Sequence, residues 1–264
     1  MKYSIILTAF VISCSTPTPT KTTTIRQSNW MQVMPSLTAS AVTSKNVLLV
    51  QQSKACWRDD PKQCLELKDG YFTTPGAKKD LTLPALKQSM STRHFSKGHG
   101  FFAKFERDIP IWTMMNVTYT SFQVASPVTL VVEGAARQNA KLALSWYPQK
   151  PSSCALVAVY VIGDDVFVLV EEGDRRRYVA NTNRSCLWPA KSLSMALSQI
   201  EHDNLCSNVA VAATYGSTMG ELTDALNIAA KDSRFKRFSF SVVPGPADRR
   251  SLSCPDDLKP LKTP

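Results

Sequence analysis

The sequence predicts an α+β protein: a mostly β module over residues 30–150, then a small α/β sandwich over residues 151–245 with helices on one sheet face. Two patterns carry this prediction. Trp112 to Phe122, Val128 to Val132 and Lys141 to Tyr147 are rich in β-branched and aromatic residues or alternate with period two, as strands do. Beyond Cys154 the pattern switches between strand and helix. Pro148-Gln149-Lys150-Pro151-Ser152-Ser153 is the best boundary between the two styles.

The second part can be ordered element by element. Ala155 to Ile162 is an apolar strand, Gly163-Asp164-Asp165 a turn, and Val166 to Val170 a second strand. Glu171-Glu172-Gly173-Asp174 turns the chain again, into a short strand near Arg177 to Val179. Pro189 suits a first helical turn, and Leu193, Leu197 and Ile200 recur at helical spacing. Asn208 to Ala213 reads as a buried strand, Ser217 as an N-cap, and Leu222, Ala225, Leu226 and Ala229 as one helical face. Phe238 to Val242 closes the series, giving β-β-α-β-α-β and helices packed on one sheet. In the first part Val47 to Val50 reads as a buried strand and Leu81 to Met90 as a short helix. No internal repeat is visible in the residues.

The N-terminus predicts an address. Met1-Lys2, an apolar run from Tyr3 to Ile12 and Ser13 before Cys14 form a leader over 1–13, too short to span a bilayer. Ser15 to Thr24 is Thr/Pro-rich with almost nothing to bury, so residues 14–29 are expected to be a disordered tether. Residues 246–264 are expected to be a flexible tail. The small residue before Cys14 resembles the lipobox of bacterial lipoproteins. That resemblance implies acylation (palmitate) of Cys14 and a lipid anchor in the envelope. Ser15 lacks the aspartate that signals inner-membrane retention in that family, so the outer membrane facing the periplasm is expected. A simple secreted protein with a chance cysteine and an N-terminal core strand are other readings of the leader, and the sequons at Asn116 and Asn183 keep a eukaryotic stalk open as well.

Of the seven cysteines, assigning Cys14 to lipid leaves an even set: Cys56, Cys64, Cys154, Cys186, Cys206 and Cys254. In an exported chain that predicts disulfides. Cys56 and Cys64 bracket a polar loop and are the expected local pair; the pairing of the other four stays open. Zinc fails on spacing, since no Cys-x-x-Cys occurs and His94, His99 and His202 are not near-neighbours of cysteines. No metal or cofactor is expected. The net charge of +10 favours anionic surfaces such as headgroups or cell-wall polymer, and export argues against nucleic acid. The densest basic run, Arg175-Arg176-Arg177, reads as a solvated hairpin tip.

The strand-turn-helix run Ala212-Ala213-Thr214-Tyr215-Gly216-Ser217-Thr218-Met219-Gly220-Glu221-Leu222 resembles the periplasmic domain of the ExbD/TolR family, as does the element order over 154–243. The resemblance implies a binding domain, with Tyr215, Gly216 and Ser217 as a possible binding turn. The family's energy-coupling members begin with a transmembrane helix bearing an acidic residue; this chain has a lipid leader there, so the proton-driven role is not carried over. The expected function is a non-enzymatic envelope lipoprotein that binds cell-wall polymer or an envelope protein complex, with homo-oligomers possible. The alternatives are an envelope-polymer hydrolase using His94, His99 or an unrecognised carboxylate, and a surface adhesin or secretion component. No nucleophile elbow, Walker loop or His-Glu-x-x-His appears in the sequence.

Overall fold

A computed structural model describes residues 29–42, 44, 46–73, 81–93, 101–124, 128–134, 138–142, 145–146, 153–183, 185–201, 203–243 and 259–261. The leader, Cys14, His94, His99, His202, Cys254 and most of the boundary segment after Pro148 lie outside the described residues. The protein is α+β, mostly strand, in two mixed sheets.

The first half contains β1 (Thr38–Ala41), β2 (Val47–Val50), β3 (Lys54–Trp57), β4 (Cys64–Lys68), β5 (Tyr71–Phe72), α1 (Pro84–Ser91), β6 (Phe101–Phe105), α2 (Ile111–Phe122), β7 (Val128–Glu133) and β8 (Asn139–Leu142). The second contains β9 (Ser145–Trp146), β10 (Ala155–Ile162), β11 (Asp165–Glu172), β12 (Arg175–Tyr178), β13 (Leu187–Pro189), α3 (Leu193–Ser198), β14 (Leu205–Thr214), α4 (Met219–Ala230), β15 (Arg237–Val243) and β16 (Lys259–Pro260). The sheet orders are β1-β8-β7-β6-β2-β3-β4-β5 and β16-β12-β11-β10-β14-β15-β9, with β13 also paired to β11.

The two halves repeat one plan. In the first, β2 pairs antiparallel with β3 and parallel with β6, which pairs parallel with β7. In the second, β10 does the same with β11 and β14, and β14 with β15. The fifth strand is β4 against β3 and β13 against β11. A helix precedes the second parallel strand and another follows it in each half. Cross-strand partners therefore match: Leu48 sits between Ala103 and Trp57 as Val159 sits between Val211 and Val168. The repeat escaped the sequence reading because the halves share strand register rather than residues.

The main correction concerns Trp112 to Phe122, which the residue types assign to a strand and the structure folds as α2. Pro110 is its N-cap residue, and Ile111, Met114, Val117, Thr118 and Ser121 recur on a buried face. Threonine and serine are tolerated in this buried helix because their hydroxyls bond back to preceding carbonyls. Thr118 donates to Met114 O (2.9 Å), Thr120 to Asn116 O (2.7 Å) and Ser121 to Thr118 O (2.7 Å). A second correction moves the α4 cap from Ser217 to Thr218. Its hydroxyl accepts from Glu221 N–H while the Glu221 carboxylate accepts from Thr218 N–H at 2.7 Å, a capping box that only a residue three before Glu221 can form.

One hydrophobic cluster spans both halves, joining Leu48, Phe101, Phe105 and Met114 to Val159, Val211, Leu222 and Phe240. Each fully buried side chain of this size contributes about 1.5–3 kcal/mol, so the shared core makes the halves one body. Part of the segment expected to be a flexible tail is docked. β16 pairs parallel with β12, and Leu261, 8% exposed, donates its N–H to Tyr178 O at 2.7 Å. No helix among the described residues is long and apolar enough to cross a membrane.

Candidate functional site

The turn Tyr215-Gly216-Ser217 sits where the halves meet. It leads from β14 into α4, just as Arg107 to Pro110 leads from β6 into α2. The two leads lie antiparallel across a bridge between Pro110 and Thr218. Ile111 N–H donates to Ser217 O (2.7 Å) and Met219 N–H to Ile109 O (2.8 Å). One step further in, Trp112 N–H donates to Tyr215 O (3.2 Å) and Gly220 N–H to Arg107 O (2.6 Å). Each helix thus hands its first two amides to the other half's lead. Helix N-termini leave such amides without helical partners, and here each end satisfies the other.

Side chains tighten this joint. Ser217 is fully buried: its hydroxyl accepts from Gly163 N–H at 3.0 Å, donates to Val161 O at 3.1 Å and lies 3.0 Å from Thr214 Oγ1. The Tyr215 ring packs edge-on against Trp112 at 4.9 Å between centroids. Arg107 pairs with Asp224 of α4 at 2.7 Å. Asn227 of α4 accepts from Met34 N–H at 2.8 Å and donates to Gln32 O at 2.9 Å, pinning the N-terminal arm on the helix. In this geometry the expected binding turn holds the two units together.

Among the described residues, three features stand out as open to ligands. The first is a face of α2. That helix carries no charged residue, yet Tyr119 and Phe122 are 43% and 55% exposed, with Met115 half-buried on the same stripe. The matching α4 positions are better covered: Gly220 lies against Arg107, Thr223 is buried, and Asn227, bonded to the arm, and Ala230 are half-buried. The second is the β11–β12 hairpin, where Arg175 and Arg176 are exposed and Arg176 pairs with Glu171 at 3.3 Å. The third is a pocket of about 170 Å³ between β3, β4 and α1, lined by Leu48, Ala55, Trp57, Gln63, Cys64, Leu65, Leu86 and Ser89.

Cys56 and Cys64 are joined, as are Cys154 and Cys206. Cys186 is also disulfide-bonded, to a partner outside the described residues. Asp59 chelates the Arg93 guanidinium at 2.6 and 2.8 Å. The first sheet also buries an ion pair. Lys104 Nζ lies 3.1 Å from Glu133 Oε1, donates to Asn139 Oδ1 at 2.8 Å and sits 4.8 Å from the Trp30 ring centroid. Among the described residues no group of His, Cys, Asp and Glu could hold a metal ion. The pocket and the α2 stripe escaped the sequence reading, because both depend on knowing that α2 is a helix and which strands are neighbours.

Fold and joint together define a class: a doubled α+β protein whose two register-matched units are clamped through paired helix N-termini. No family model matches the chain, and neither a curated protein nor a solved structure is matched.

Proposed function

We propose that this chain is an exported, lipid-anchored envelope protein that binds a protein partner through its doubled scaffold. The observation carrying the address is the state of the cysteines: every described one is in a disulfide, the condition of an oxidising compartment. The leader and Cys14 supply the tether in this reading. Recognition falls to α2, whose open Tyr119 and Phe122 are side chains of the kind that anchor protein interfaces. The element order behind the ExbD/TolR resemblance recurs in the first half, which supports reading both units as binding modules. A second reading, cell-wall polymer as the ligand, is favoured by the net charge of +10.

The test uses the full chain and its Cys14→Ser variant in a Gram-negative host. Labelled palmitate is expected on the wild type alone, with the protein in the outer-membrane fraction. In vivo photo-crosslinking from position 122 is expected to join the chain to one envelope protein. Unlabelled, cytosolic protein would overturn the address. Crosslinks to nothing, together with retention on purified cell wall that salt abolishes, would replace the partner reading by the polymer one.

A further inference from the structure

We propose that the pocket beside Trp57 is a receptor for a single aromatic ring. Ala55 faces Leu65 across β3 and β4, and Val166 faces Trp188 across β11 and β13, at matching positions of the two halves. In the second half the position opposite Val166 is taken by an indole, 3% exposed, whose N–H donates to Val179 O at 2.8 Å. The first half puts leucine there and trims the neighbour from valine to alanine. Beside this smaller pair lies the pocket of about 170 Å³. An apolar cavity of about 150 Å³ already accommodates benzene, so one ring fits.

The walls are set before any ligand arrives. The Trp57 indole, 2% exposed, donates its N–H to Ser89 Oγ at 2.7 Å and stacks edge-on with Phe101. The Arg93 guanidinium lies 4.2 Å from the Trp57 ring centroid and is anchored on Asp59. The Cys56–Cys64 disulfide ties down the loop at the rim, where Gln63 is exposed and half-buried Leu65 and Ser89 flank the opening. A fixed, mostly apolar wall spares a ligand the cost of ordering it. The Gln63 Oε1 at the rim accepts from Ser89 Oγ at 3.4 Å, and its second lone pair can accept a ring N–H or hydroxyl. The ligand class is therefore an aromatic ring with one polar edge atom, as a free small molecule or as a Trp or Tyr side chain of a partner. This inference stands apart from the envelope address, since the pocket is built whatever anchors the chain.

The experiment titrates the full-length Cys14→Ser protein with indole and, separately, with a Trp-containing tripeptide, following the Trp57 indole N–H signal by NMR. Saturable shifts of Trp57 are expected with indole. Equal or tighter binding of the tripeptide assigns the ring to a protein partner, and binding of indole alone to a free small molecule. Leu65→Trp, which restores the second half's residue, is expected to weaken indole binding by about tenfold or more. Ala55→Leu fills the pocket from the neighbouring strand β3 and is expected to do the same should Leu65→Trp fail to fold. No saturable shift from either probe, or unchanged affinity in a folded pocket-filling variant, would overturn the proposal.

Discussion

Pro110 and Thr218 stand opposite each other as the N-cap residues of α2 and α4, and the amide that follows each donates to the carbonyl that precedes the other, at 2.7 and 2.8 Å. Two helix starts that would otherwise need water or side-chain partners complete one another. The same pairing makes the Tyr215–Ser217 turn a joint.

Ser217 is the side chain on which that joint turns, so Ser217→Ala should be felt throughout the molecule. The substitution leaves Gly163 N–H without its acceptor and costs about 1–3 kcal/mol. Thermal denaturation is expected to show a lower midpoint with a single transition retained. A midpoint unchanged from the wild type would mean the hydroxyl is not holding the turn.

Arg234 ties the loop after α4 to the end of α3. Its guanidinium donates to Leu197 O and Ile200 O, each at 2.8 Å, and bonds Asp232 at 2.6 Å. The hydrogen bond from Arg234 outweighs partial burial and holds the Asp232 carboxyl below the usual carboxylate range. A depressed folded value stabilises the protein above the unfolded value, about pH 4, and the gain is lost as pH falls through the folded value. Arg234→Ala is expected to cost about 1–2 kcal/mol at neutral pH after allowing for solvent screening. Asp232→Asn should remove the pair's share of the acid sensitivity, read from stability measured between neutral and acidic pH.

The two mapped disulfides close loops of very different length, with sequence separations of 8 and 52. On the chain-entropy estimate, removing Cys154–Cys206 by paired serines costs about 4 kcal/mol and removing Cys56–Cys64 about 2.5 kcal/mol. Denaturant midpoints in that order are expected. Peptide mapping of the oxidised protein should also link Cys186 to Cys254, which lies a few residues before the docked strand β16.

Lys104 and Glu133 form a buried pair, with side chains 8% and 9% exposed. Removing Lys104 takes this counter-charge from the buried Glu133 carboxylate, which keeps its bond from Gln32 at 3.3 Å, so Lys104→Met is expected to cost about 3 kcal/mol. The double variant Lys104→Met, Glu133→Leu should recover most of that loss. Equal destabilisation of the single and double variants would show that the pair is not coupled.

Much of the second half was legible because its strands are long and continuously apolar and its turns carry glycine. Gly163 and Gly173 both adopt positive φ in their hairpins. α2 was not legible, because its threonines, aromatics and valine are strand-formers by composition. Its helical spacing of Ile111, Met114, Val117 and Ser121 is the signal that would have found it. The repeat was hidden for a similar reason: Trp112 of α2 stands where Gly220 stands in α4, and Leu65 where Trp188 does. Positions match through hydrogen-bond register, which no single sequence displays. The pocket follows from such a mismatch, so it too needed the structure.

Native-state hydrogen exchange at the Ile111 and Met219 amides tests the clamped, doubled body most directly. Both are expected to exchange only through global unfolding, with one shared free energy equal to that from denaturant melts. Exchange of either amide at a markedly lower free energy than the core strands β10 and β14 would contradict the account, because the halves would then open independently.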